Sequence, residues 1–441
     1  MGLSCISYSA DSYTDAGYLI NSNYKCMRIE KLIITVVAVM GCISCNQKKA
    51  KNESVKNSME NYSKGRFGYD AGFLSSKGKI ITLKNEAGNA QLIVSPKYQG
   101  KVFTSTADGN EGKSFGWVNY KAFDSTDPHM NGYGSEDRLW LGPEGGKFSI
   151  FFKPGTKMEF DNWHTPPAFD SESWELDSST SKRVSMSKNM SLQNYAGTVL
   201  KIKITRDVQI FEIADIEKAL NIKLGSNIKS VGFQTDNTLI NAGDIAWTEQ
   251  TGAPCLWNLD MFPPSPETVI VVPYMESAGG KVATTDYFGQ IPADRVTYKN
   301  GVLLFKADGK SRGKLGIPPH RAKPVNGSYD AKNNVLTITS FDVDNKGTYL
   351  NQEWTPDKDP LTGDAVNAYN DGPLQNGSQM GPFYEIESVS PAAFLKPKEK
   401  LNHKHSVFHF IGNKEELNLI AEKVLGVSLS QIESAFNNKK I

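Results

Sequence analysis

Cysteine is scarce in this 441-residue chain: Cys5, Cys26, Cys42 and Cys45 lie near the start and Cys255 stands alone in the body. No intramolecular disulfide framework can hold the body, so stability has to come from a packed core. An excess of one charge is also missing. Lys+Arg number 49 and Asp+Glu 48, a net charge of +1, which excludes a bulk electrostatic footprint for nucleic acid. The sequence has no phosphate loop, no dinucleotide fingerprint and no Gly-x-Ser-x-Gly elbow, so nothing in it calls for a nucleotide or other cofactor. Residues 67–412 contain no repeat of fixed short period and no Pro- or Ser-rich linker. With 38 Gly and 21 Pro, the chain is rich in turn formers and poor in helical pattern.

The apolar run Leu32 to Gly41 follows a short basic segment, Met27 to Lys31. It is about half the length that spans a bilayer, which fits a secretory signal better than an anchor. It ends in Gly41-Cys42-Ile43-Ser44-Cys45. Small residues before a Cys at this point resemble a bacterial lipoprotein signal, with Cys45, or alternatively Cys42, as the lipidated residue. Residues 27–44 are therefore read as a signal segment and 1–26 as an upstream extension that begins before the biological start. Residues 45–66, polar and charged, are read as a flexible tether. The expected location is the bacterial cell envelope, with a lipid anchor in the outer membrane facing the periplasm. Beyond that membrane contact no protein partner is indicated.

From Phe67 the pattern predicts strand after strand. Short β-branched or aromatic runs bounded by turn residues occur at 79–83, 90–94, 147–152, 198–204 and 334–339. Asn300-Gly301 between two apolar runs predicts a tight hairpin, because both central residues must take positive φ. Helical periodicity is read at the end only. Asn413 caps a face of Leu417, Ile420, Ala421 and Val424, and Ser428 with Gln431 forms a second capping box. The expectation is one all-β domain over 67–412, large enough for two broad sheets, and a helical segment over 413–441.

The densest functional-looking stretch is the Gly-rich run from Asp127 to Gly146. It offers His129, Glu136, Arg138, Trp140 and Glu144. Glycine lets backbone approach a ligand, polar groups can fix sugar hydroxyls, and a Trp face suits the C–H face of a pyranose. The competing reading is a structured loop whose charges pair with one another. His164 and His320, each beside Pro, are further acid or base candidates. Arg321, Asn370 and Asp371 are candidate ligand contacts, although Asn370-Asp371-Gly372-Pro373 is equally a turn. His403, His405 and His409 share one face if extended, but the spacing is not specific for zinc and no metal is expected. The calcium-like run 342–347 carries Lys346 at a ligand position and is read as a turn. Cys255, in Pro254-Cys255-Leu256-Trp257, is read as a buried structural thiol.

The segment Tyr384-Glu385-Ile386-Glu387-Ser388-Val389-Ser390-Pro391-Ala392-Ala393, taken with the loop from Glu136 to Gly146, is similar to galactose mutarotase-like proteins. The likeness is to an aldose 1-epimerase superfamily branch of Bacteroidetes-type lipoproteins. The resemblance implies a β-supersandwich with a short C-terminal helical tail and a carbohydrate ligand. It implies that Glu385 acts as base toward an anomeric hydroxyl. The imidazole such proteins use has no counterpart in Pro254 to Asp260, so the acid would come from His129, His164 or His320. Three activities are compatible with this: aldose epimerisation, glycan binding without catalysis, and polysaccharide lyase or hydrolase chemistry.

Overall fold

The structure is a computed structural model that describes residues 59–436. The expected upstream extension, the signal segment, both candidate lipidated cysteines and most of the tether lie outside the described residues, as do 437–441.

Strand alternation builds two large layers. One is a ten-stranded antiparallel sheet, in which the long strands Arg183–Gln193, Val199–Ile210, Lys229–Asn241 and Lys400–Ile411 form one half. The other is a five-stranded antiparallel sheet, in the order Gly313–Ile317, Val366–Asn370, Tyr384–Val389, Cys255–Phe262, Arg138–Gly142. Apart from the consecutive strands Val366–Asn370 and Tyr384–Val389, neighbours in the small sheet are far apart in the chain, so the complete sheet exists only once the tertiary fold has formed. Successive strand residues face opposite sides, and this divides the core. Leu139, Leu256, Leu315 and Ile386 of the small sheet meet Ile204, Val231, Phe233 and Ile270 of the large one in the main apolar cluster. The all-β architecture expected from the sequence is what the structure shows.

The far face of the large sheet is covered too. Val269, Val271, Leu336, Ile338, Phe408 and Phe410 point there and pack under three helices. Two of these are the expected C-terminal pair, Lys414–Leu425 and Leu429–Ser434. Asn413 accepts from the Glu416 N–H, Gly426 closes the first helix at φ 71°, and Ser428 with Gln431 makes the capping box. The third, Ile213–Leu220, has no counterpart in the sequence reading. Only Ile216 and Leu220 anchor it, a four-residue spacing too short to stand out as a period.

Two further expectations are corrected. Residues Phe67–Lys77 form a helix, not a strand. Phe67, Asp70 and Leu74 fall on one face with Phe73 beside them, and pack on Ile93, Tyr98 and Phe103 of the small three-stranded sheet 81–106. Gly68 and Gly72 weaken the helical signal in that stretch. Residues 147–152 form no strand beyond a single bridge from Phe152 to Trp163. All of Phe148 to Phe152 are buried, so this run fills the end of the core and does not alternate. Residues 59–66, the end of the stretch read as a tether, pack against the body: Met59 joins the cluster around Phe103, and the Gly65 carbonyl accepts from the Ser114 N–H. The 342–347 run is a turn, closed by the Gly347 N–H to the Asp344 carbonyl.

Candidate functional site

The small sheet's second face does not meet the large sheet. Register fixes what it presents. Trp140 pairs with Trp257, Arg138 with Leu259, Glu385 with Met261 and Tyr369, Glu387 with Leu259, and Lys314 with Tyr369. All therefore project on one side of a rigid floor. Glu387, two residues beyond Glu385, shares its face, as a strand requires. Loop aromatics Phe160, Trp163, Phe288, Trp354 and Phe383 close over this floor and leave a cavity of about 160 Å³.

The cavity combines aromatic faces with opposed charges. Arg138 donates from Nη2 to Glu385 Oε1 at 3.0 Å, with both side chains buried. Its guanidinium lies 4.0 Å from the Trp140 ring centroid. Lys314 pairs with Glu387 at 3.1 Å and sits 4.5 Å above Trp257, whose Nε1 donates to Glu387 at 2.8 Å. Arg312 lies 3.9 Å over Phe288 and donates from Nε to the Tyr369 hydroxyl at 3.2 Å. Cations over aromatic faces are held by the ring quadrupole.

Burial dominates the ionisation. It lifts the Glu385 carboxyl above the ordinary carboxylate value; Glu387 and Asp371 add to the rise, and Arg138 and Lys314 oppose it. Burial likewise raises Glu144, with Lys314 pulling the other way. It lowers Arg138, against Glu385, Asp170, Glu387 and Glu144, which hold it charged. Buried polar atoms on residues of this site with no hydrogen-bond partner among the described residues include Arg138 Nε, Trp140 Nε1, Trp163 Nε1, Trp354 Nε1 and Glu387 Oε1.

The structure brings together Glu385, Arg138, Trp140 and Glu144, all in the cavity wall. It sends the other expected site residues elsewhere. His129 and His164 stack on each other at 4.7 Å, with Nδ1 atoms facing the Trp163 and Pro128 carbonyls at 2.7 and 2.8 Å. Their loop lies behind the Phe160 rim: His129 stacks on Phe160 at 4.5 Å but does not line the cavity. His320 is exposed, near the Gly279 carbonyl at 3.2 Å. Arg321 is spent on the carbonyls of Met275, Glu276 and Gly280. Asn370 ties Gly309 to Ser311, and Asp371 accepts from Gly381 and Gln379. These contacts brace loops around the site. Glu136 faces the interior, accepting from Ser105 Oγ at 2.6 Å and lying 3.0 Å from His409 Nε2.

Glu136 belongs to a second polar cluster, sealed between the two sheets. Asp137 meets Arg206 at 3.1 Å and accepts from Asn258 and Thr235, each at 2.8 Å. Burial pushes Asp137 up, but Arg206, His405 and these hydrogen bonds outweigh it and hold the carboxyl below the usual range. His403, His405 and His409 do share one face, as an extended segment requires. Ser388 Oγ lies 2.8 Å from both His403 Nε2 and His405 Nδ1, and His405 Nε2 is 2.7 Å from Asp260. Burial pushes Asp260 up to about 7 and His403 down to about 3. Among the described residues no group of three or more His, Cys, Asp or Glu side chains is placed to hold a metal ion.

Sequence reasoning missed Lys314, Arg312, Trp257, Glu387, Tyr369 and Trp354. One signal was present: Lys314 alternates with apolar Leu315 and Ile317, which puts a cation on the second face of a strand buried on both sides, with Arg312 just ahead of it.

Among solved structures, the chain is similar to a candidate aldose 1-epimerase from Escherichia coli K12. Identity is 13%, with 75% of this chain and 98% of the other covered at a TM-score of 0.45. It is similar also to a galactose mutarotase-like protein from Lactobacillus casei ATCC 334. There identity is 10%, with 75% and 100% covered at a TM-score of 0.44. No curated protein sequence matches it. One family model matches residues 65–436, nearly all of the described body, and by that match the chain belongs to the family of unknown function DUF6786.

Proposed function

We propose that the cavity over the small sheet binds one ring of a carbohydrate. The observation that carries this is the pairing of four tryptophans with Arg138, Arg312, Lys314, Glu144 and Glu385 on a floor of paired strands, where buried donors of Arg138, Trp140 and Trp163 remain unpartnered. A pyranose has apolar C–H faces and a rim of hydroxyls that donate and accept. It can lie on an indole and satisfy those donors. A purely apolar ligand would leave the polar atoms unpaired, at about 1–3 kcal/mol each. The cavity's roughly 160 Å³ is below the ~300–1,000 Å³ of sites for drug-sized ligands, which favours a single ring. Isothermal titration against a panel of neutral and acidic monosaccharides tests the reading. Binding that Trp140→Ala weakens at least tenfold, with the thermal transition retained, supports it. No binding by any member sinks it.

A second reading is favoured by one observation, the raised carboxyl of Glu385 beside Arg138. A carboxyl tuned upward by burial can take and return a proton near neutral pH. In this reading Glu385 serves the anomeric hydroxyl and the protein interconverts sugar anomers, with a general acid–base contribution of about 10²–10⁴-fold. Glu385→Gln then abolishes mutarotation measured by polarimetry while sugar binding persists. Unchanged rates would remove catalysis and leave glycan binding.

We infer further that this is a lipid-anchored protein of the bacterial envelope, held in the outer membrane through Cys45. Support comes from the basic segment, the ten-residue-scale apolar run and the cysteines that end it. Labelling with radioactive palmitate checks this: Cys45→Ala loses the label, and a label lost with Cys42→Ala instead reassigns the anchor.

A further inference from the structure

A much larger groove borders the cavity. Its volume is about 850 Å³, against about 160 Å³ for the cavity. Met130 and Met380 line both, so the two are adjoining compartments with a thioether wall between them. A second link is aromatic. Trp117, half-buried in the groove wall, stacks at 4.7 Å and 28° on Phe383, which belongs to the cavity. A third is backbone. The Trp117 N–H donates to the carbonyl of Met261, on the cavity's floor strand, at 2.9 Å. The groove is therefore held in register with the cavity by the same strand that carries the floor.

We propose that the groove is a set of further sugar subsites, and that the ligand is an oligosaccharide whose terminal ring enters the cavity. The proposal rests on the reading of the cavity as a sugar site and extends it. Trp117 supplies a platform for the ring next to the terminal one, just beyond the methionine wall. Methionine suits that junction, since its flexible thioether can move aside for a glycosidic link. The groove's charged residues are Lys64, Lys121, Asp70 and Asp127. Neither sign prevails, which suits a neutral, hydroxyl-rich chain over a polyanion. One ring cannot fill both compartments, and the volume ratio gives room for several more.

The test is a glycan array displaying each sugar both as a single ring and as chains of two to six rings, probed with the full-length protein. Titration of the best hit and its monosaccharide follows. The expected result is a chain bound at least tenfold more tightly than its terminal sugar. Trp117→Ala removes that gain and leaves monosaccharide affinity unchanged. Ser125→Trp does the same from an exposed position in the groove, and keeps the test open if Trp117→Ala does not fold. Equal affinity for ring and chain, indifferent to both variants, overturns the groove subsites and leaves the cavity reading standing. A silent array overturns both.

Discussion

Arg138 and Glu385, 247 residues apart in the chain, meet at 3.0 Å with both side chains buried. Their strands are not neighbours: the strand Cys255–Phe262 lies between them and each flanks it. The pair thus reports correct assembly of three strands drawn from three parts of the chain. Two ions removed from water are stabilised only by each other and by nearby polar groups. Arg138→Ala leaves the Glu385 carboxylate buried beside Glu387 and is expected to cost about 3–5 kcal/mol. Glu385→Gln keeps a carbonyl oxygen for the guanidinium, so its cost is expected nearer 1–3 kcal/mol. Denaturant unfolding of both single variants and of the double variant measures the coupling. Additive effects would show that the contact contributes nothing.

The buried His403 gives a pH dependence of definite sign. Burial, with His405 adding to it and Asp137 opposing, pushes its imidazole down to about 3, and Ser388 Oγ is 2.8 Å from Nε2. In the unfolded chain a histidine takes up its proton near pH 6.5. Between about pH 6.5 and 3 the unfolded state therefore binds more protons, and the fold loses stability as pH falls. Asp260, pushed up to about 7, works in the opposite direction below that value, so the total curve is a sum. The difference between wild type and His403→Gln isolates the imidazole. Wild type is expected to lose stability relative to the variant across that window, at about 1.4 kcal/mol per pKa unit. Chemical denaturation at several pH values from 7.5 to 4 reads it, and parallel curves would refute it.

What could be read from sequence was local, and what was missed was tertiary. Asn300 and Gly301 take φ of 51° and 71°, as the hairpin reading of that dipeptide demands. The strand Val199–Ile210 alternates exposed and buried nearly throughout, and the caps at Asn413 and Ser428 form as written. These signals act within a few residues. Glu385, Arg138, Trp140 and Glu144, which share one cavity wall, could be singled out because they stand in conspicuous segments. Lys314 and Trp257 were not, because nothing local says that 313–317, 255–262 and 138–142 belong to one sheet. The placement of the histidines outside the cavity wall was hidden for the same reason. Proline neighbours mark His129, His164 and His320 as loop residues, but which way a loop turns is set by what it packs on, for His129 the Phe160 ring and the Trp163 carbonyl and for His320 the Gly279 carbonyl.

Cys255 offers a prediction that joins chemistry to packing. It is fully buried, and burial pushes its thiol up to about 12. Only the thiolate is a nucleophile, so both access and ionisation oppose reaction. Iodoacetamide at pH 8 should leave the Cys255 peptide unmodified in the native protein and alkylate it fully in guanidinium chloride, as read by mass spectrometry. Gly142 is the position that enforces this closure. It pairs with Cys255 across the strands, and a Cβ there would come within 2.8 Å of Cys255 Sγ and 3.0 Å of Gln352 Oε1. Gly142→Ala is expected to cost about 1–3 kcal/mol by overpacking and to speed alkylation of the native protein. Replacing the sulfur as well, in Gly142→Ala/Cys255→Ala, should recover most of that loss, because the added methyl then fills space the thiol has vacated. No recovery would mean that Gln352, not Cys255, is what the missing side chain makes room for.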